Sequence, residues 1–172
     1  MLTTFLGVPM FLNILVCVDG SAHADRALSE AIDLAVAERS RLTILTAVSR
    51  PPFWACTPAT AAGIESLWTE LMAEAETVLR TAVDRVPASI PVTKILSTDP
   101  IREALIDRIH TGGHDLVVMG SRGRGALTAS VLGSVSHYAL NHSEIPVLIV
   151  HTEEDEKIAR AAEGEPPVVA AA

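Results

Sequence analysis

The 172-residue sequence predicts an α/β fold: one domain built on an open, parallel five-stranded sheet with helices on both faces. Three observations lead there. Five short apolar runs alternate with segments of helical periodicity. The runs are almost continuously apolar, as strands buried on both faces must be, and alternation with helices makes such strands parallel. A hydrophobic content of 49% is enough for a single core in a chain of this length.

The elements follow in order. Residues 13–18 form the first strand, which ends at Asp19-Gly20-Ser21. Ser21 is an N-cap, and Ala24, Ala27, Leu28, Ala31 and Ala35 then repeat at helical spacing. Residues 42–48 are the second strand. Residues 50–60 hold three prolines and read as an irregular connection, with Phe53 and Trp54 available for a lid or partner surface. Leu67, Leu71, Ala75, Val78, Ala82 and Val86 mark a long amphipathic helix whose solvated face carries Glu70, Glu74 and Glu76.

The third strand is 92–96. Asp99 is expected to cap the next helix with Pro100 in its first turn, where the missing N–H costs nothing. That helix runs to about His110, and Gly112-Gly113 forms its C-terminal turn. Residues 115–119 are the fourth strand, 134–141 a helix, and 146–150 the fifth strand. The expected organisation is an N-terminal extension at 1–10, a folded domain at 11–151, and a disordered acidic tail at 152–172. Initiation at Met10 is compatible with the same fold.

Net charge is −8, half of it in residues 151–172. An acidic body with an acidic tail has no attraction for nucleic-acid backbones or anionic membranes. The apolar run at 1–18 lacks a basic start and a small-residue cleavage site and contains Pro9 and Asn13, so neither export nor a membrane span is expected. Cys17 and Cys56 lie in a predicted core strand and a loop, which suits reduced thiols in a cytoplasmic protein. His110, His114, His137 and His142 have no ligand-like spacing; they read as solvated or capping residues, and no metal site is assigned to them.

The stretch after the fourth strand carries the functional signal. Gly120, Gly123, Gly125 and Gly133 lie between a strand and a helix that begins at Ser134. A phosphate approaching backbone N–H groups tolerates no Cβ in its way, and a helix N-terminus offers free amides. The spacing is neither the Walker pattern nor the dinucleotide GxGxxG. If strands 1 and 4 are neighbours where strand order reverses, the Asp19 and Gly120 exits face one crevice. Arg122 and Arg124 lie inside the loop, and for Arg124 a solvated side chain and a γ-phosphate contact fit equally well.

Gly120-x2-Gly123-x9-Gly133-Ser134, the opening ILVCVDGS at 14–21 and the closing IPVLIV at 145–150 resemble the universal stress protein family over about residues 12–151. The glycine spacing resembles its ATP-binding branch. The resemblance implies a Rossmann-like sheet of order 3-2-1-4-5, related to the adenine nucleotide α-hydrolase fold, with ATP and Mg2+ at the crevice between strands 1 and 4. It places Cys17, Val18 and Asp19 on the adenine and ribose side and Ala47 against the adenine. Met119 and Gly120 would lie near the ribose, and Arg122, Gly123, Gly133, Ser134, Val135 and Ser136 around the phosphates. It also suggests a homodimer through strand 5, Ile145 to Val150, which would otherwise leave an apolar edge exposed. Thr98, where the family usually has a glycine-like residue, departs from the pattern.

The expected function is thus an ATP-binding stress-response or signalling module. An enzyme reading, a slow ATPase or an autophosphorylating protein with Ser121, Ser134 or Ser136 as acceptor, uses the same site. Asp19 is the only carboxylate the fold brings to the crevice. It reads better as an orienting group, with magnesium coordination possible beside that role, than as a general base, and no catalytic residue is assigned. A nucleotidyl-transfer enzyme is disfavoured because neither an SGGxDS loop nor a HIGH-type motif is present.

Overall fold

The computed structural model describes residues 10–50, 61–124 and 132–152. Residues 1–9 of the N-terminal extension, the proline-rich segment at 51–60 with Phe53, Trp54 and Cys56, the loop residues 125–131 with Gly125, and the acidic tail from 153 on lie outside the described residues. Five strands, β1 (Asn13–Cys17), β2 (Arg41–Ala47), β3 (Val92–Ser97), β4 (Leu116–Gly120) and β5 (Val147–Val150), alternate with four helices. These are α1 (Ala22–Glu38), α2 (Ala61–Asp84), α3 (Ile101–Thr111) and α4 (Ser134–His142). All pairings are parallel and the order is β3-β2-β1-β4-β5, as expected.

The two-residue period of β1 sorts the core into two layers. Ile14 and Val16 point into a cluster with Ala27, Leu28 and Ala31 of α1 and Leu79 and Ala82 of α2. Leu15 and Cys17 point the other way, toward Leu105 and Ile109 of α3 and Ala139 of α4. Register places Ile14 beside Leu116 and Val16 beside both Ile44 and Val118. The apolar runs are therefore continuous because each strand feeds two cores.

Local chemistry sets the helix ends. Ser21 Oγ accepts the Ala24 N–H at 3.2 Å and caps α1. Gly113, at φ +60°, supplies the left-handed turn after α3. At the start of α3 the expected cap is corrected: Pro100, not Asp99, occupies the N-cap position, with ψ 135° and no side-chain cap. Asp99 is engaged instead with Ser97, whose hydroxyl lies 3.1 Å from both its carboxylate and its backbone N–H.

Two further expectations change. Leu67, placed on the core stripe of α2, is 49% exposed, because the buried contact of this helix is carried by Ala75, Leu79 and Ala82, two or more turns further along. His114, expected in a solvated or capping role, is 8% exposed, and burial holds its pKa below the usual histidine value. It precedes β4, at the end of the sheet away from the strand exits.

Candidate functional site

Because β1 and β4 are neighbours while their connections lead to opposite halves of the sheet, their C-terminal ends diverge into loops with a gap between them. A cleft of about 850 Å³ opens there. Its lining includes every residue that the family resemblance places around a nucleotide, but not Ser121. Cys17, Val18 and Asp19 come from the β1 exit and Ala47 from the end of β2. Met119, Gly120, Arg122 and Gly123 follow along β4 and its exit, and Gly133, Ser134, Val135 and Ser136 enter α4. Ala24, Ile101, Arg124, Leu132 and His137 also line it. His137 was legible as the residue one turn beyond Ser134, whereas Ala24 and Ile101 arrive from the first turns of α1 and α3 and carry no local signal.

Asp19 ties the two exits together. One carboxylate oxygen accepts the Ser21 N–H at 3.0 Å, holding the turn in which Gly20 adopts φ +79°. The other accepts the Arg124 N–H at 3.0 Å. Both oxygens thus hold backbone, the orienting role expected of this residue rather than that of a base beside a substrate.

The far wall is fixed by α4. Gly133 N–H donates to Ser121 O at 2.6 Å, and Ser121 N–H donates to Val150 O at 2.8 Å, locking the β4 exit to β5. The first amide bonded within α4 is that of His137, to Gly133 O at 2.9 Å. The amides of Ser134, Val135 and Ser136 therefore have no acceptor inside the helix and lie at its positive end, on the cleft.

The hydroxyls divide differently. Ser136 is 3% exposed and its Oγ donates to Gly120 O at 2.8 Å, so its one proton is committed. Ser121 is fully buried. Of the three serines considered as phosphate acceptors, only Ser134 is exposed.

The glycines are packed against their own chain. A Cβ on Gly120 would stand 2.7 Å from the backbone of His23 in α1, and one on Gly123 would stand 2.5 Å from Asp19 Oδ2. Gly133 has slightly more room, 3.3 Å to Arg122 Cα. A Cβ is thus excluded at Gly120 and Gly123 by the protein itself, rather than by the phosphate that the sequence predicts in that space.

Cys17 is a free, buried thiol whose pKa is pushed up to about 12 by desolvation, with the nearby Asp19 charge adding to it. It contributes shape and apolar surface to the cleft floor rather than a nucleophile. Among the described residues no group of three or more histidines, cysteines or carboxylates could hold a metal ion. None of the described helices is long and apolar enough to cross a membrane.

Comparison with known proteins places this geometry. Residues 10–151 match the model of the universal stress protein family. A curated universal stress protein of Thermus aquaticus, from the QAH/OAS sulfhydrylase 3′ region, is 32% identical over 141 residues, covering 82% of this chain and 99% of that one. The universal stress protein UspA of Lactobacillus plantarum superposes with a TM-score of 0.69 at 24% identity, covering 81% of this chain and 97% of its own. A universal stress protein solved in complex with cAMP superposes with a TM-score of 0.60 at 26% identity, covering 83% and 98%. With its sheet order, its cleft and its family match in agreement, the chain belongs to the universal stress protein family.

Proposed function

We propose that this protein is a nucleotide-binding module that takes ATP into the cleft between β1 and β4, and that its bound state is the signal it delivers in a stress response. One observation carries the reading: the cleft is divided by chemistry. On the β1 and β2 side it is lined by Val18 and Ala47, and on the α4 side by three helix-terminal amides together with Arg122, while Arg124 adds a second cation at the β1 exit. An adenine ring suits the first wall and phosphates the second. The volume is within the range of small-molecule sites. The structural relative in complex with cAMP supports an adenine nucleotide as the occupant.

Within this reading Cys17, Val18, Asp19 and Ala47 face the base and ribose, Met119 and Gly120 the ribose, and Arg122, Gly123, Gly133, Ser134, Val135 and Ser136 the phosphates. Mg2+ fits as a partner of the phosphates rather than of a protein cage, since Asp19 is the one carboxylate among the described lining residues. With its oxygens holding two backbone N–H groups and no further carboxylate alongside, the cleft suits retention of nucleotide better than its hydrolysis. The exposed position of Ser134 in the cleft supports self-phosphorylation as the second reading, at that residue and not at Ser121 or Ser136.

We also propose that residues 11–151 act as one cytoplasmic unit that pairs with a second copy through β5. Leu148 is 38% exposed on this edge strand, beside half-buried Val147 and Ile149.

Releasing the ligand from freshly purified protein by heat and identifying it chromatographically tests the reading, with calorimetric titration of ATP and AMP beside it. Recovered ATP or micromolar ATP binding is expected. Protein that arrives empty and binds no adenine nucleotide overturns it, and catalytic phosphate release would move the conclusion to the ATPase.

A further inference from the structure

Arg124 stands at the rim of the cleft with its two ends held by different parts of the fold. Its backbone N–H is fixed on Asp19 Oδ2. Its guanidinium reaches Glu74 of α2, with Nη1 2.9 Å from Oε1. Between these anchors the side chain crosses the β1 exit above Gly20, where a Cβ would stand 2.6 Å from Nη2. The absence of a side chain at Gly20 is what opens this path over the cleft.

The partner on α2 is a weak one. The two side chains are 46% and 54% exposed, and an ion pair in that much water holds its arginine by a factor of about five at most. A phosphate at the end of a nucleotide chain carries more charge than a carboxylate and offers the guanidinium two oxygens at once. Within the nucleotide reading, the α4 amides take a first phosphate, and the further phosphates of a triphosphate are the ones long enough to meet Arg124 as well.

We propose that Glu74 and the outer phosphates of a bound nucleotide compete for Arg124, so that this ion pair sets the preference of the cleft for tri- over monophosphate. This rests on the nucleotide reading above and adds to it a specificity residue, Arg124, and a competitor, Glu74, that lies outside the cleft lining. When the arginine is drawn to phosphate, the carboxylate of Glu74 is left uncompensated one turn from exposed Glu70, and that face of α2 becomes more acidic.

The test is calorimetric titration of AMP and ATP into the full-length protein and its Glu74→Gln, Arg124→Gln and doubly substituted forms. Glu74→Gln is expected to raise the ratio of ATP to AMP affinity by up to about fivefold. Arg124→Gln should lower that ratio by at least as much, and in its background the Glu74 change should have no effect. Glu74→Lys gives a second route and should shift the ratio in the same direction as Glu74→Gln. A ratio unmoved by either Glu74 change, or a shift that persists without Arg124, overturns the proposal while leaving nucleotide binding intact. Wild-type protein that binds neither ligand overturns the nucleotide reading itself, and the competition with it.

Discussion

Asp19, at the exit of β1, accepts the backbone N–H of Arg124, 105 residues further along the chain, at 3.0 Å. The same carboxylate holds the Ser21 amide with its other oxygen. The residue therefore closes the cleft by joining its two mouths, and Gly123 is a glycine because the carboxylate occupies the space its Cβ would take.

Replacing Asp19 by alanine should cost about 1–2 kcal/mol in urea denaturation, for two charge-assisted bonds that are part-buried and exposed respectively. Gly123→Ala alone should also destabilise, and the penalty should shrink in the Asp19→Ala background, where the space is free. A Gly123→Ala protein as stable as wild type would show that this glycine serves only a ligand.

Gly120 makes a different demand. Its missing Cβ lets α1 lie against β4, with the His23 backbone where that carbon would be. Gly120→Ala has no flexible side-chain end to displace, so a loss of about 1–3 kcal/mol is expected, seen as a lower melting temperature with or without nucleotide. Stability unchanged by this substitution would contradict the packing described here.

Much of this was readable in the sequence, for reasons particular to each element. The five strands stood out because each is buried on both faces, and Ser21 and Gly112-Gly113 announced helix ends through local chemistry alone. What a glycine faces is set by residues far away in the chain, so His23 behind Gly120 could not be read from the loop. Asp99 misled because Ser97, two residues earlier, competes for the same carboxylate. Leu79 follows Ala75 by four and precedes Ala82 by three, so its burial was available in the pattern. Glu74 was assigned to solvent since no periodicity points to an arginine 50 residues downstream.

His114 gives the fold a pH dependence. Burial lowers its pKa, so the unfolded chain, titrating near 6.5, takes up a proton more readily than the native one. Its contribution to stability is complete above pH 6.5 and falls as the pH drops toward the lowered native value, by at most about 1.4 kcal/mol per pH unit. Chemical denaturation between pH 7.5 and 5 should show this slope, and His114→Gln should flatten it. An identical slope in the variant would assign the effect elsewhere.

Leu148→Glu places a charge at an exposed position of β5 and should convert the proposed β5-paired dimer to a folded monomer in sedimentation velocity, with the melting transition still cooperative. An unchanged dimer would locate the interface away from this strand.

The sheet order has a consequence for when the site comes into being. β1 is made before its neighbour β4, and the Arg124 amide that Asp19 holds is made 105 residues after Asp19 itself. At about 5–20 residues per second, that is a delay of about 5–20 s during which the first mouth of the cleft waits without the second. Synthesis halted before β4 should yield chains that retain no nucleotide, however well the opening strands have paired. Capture of the proposed nucleotide in this topology waits for β4 and the loop that follows it.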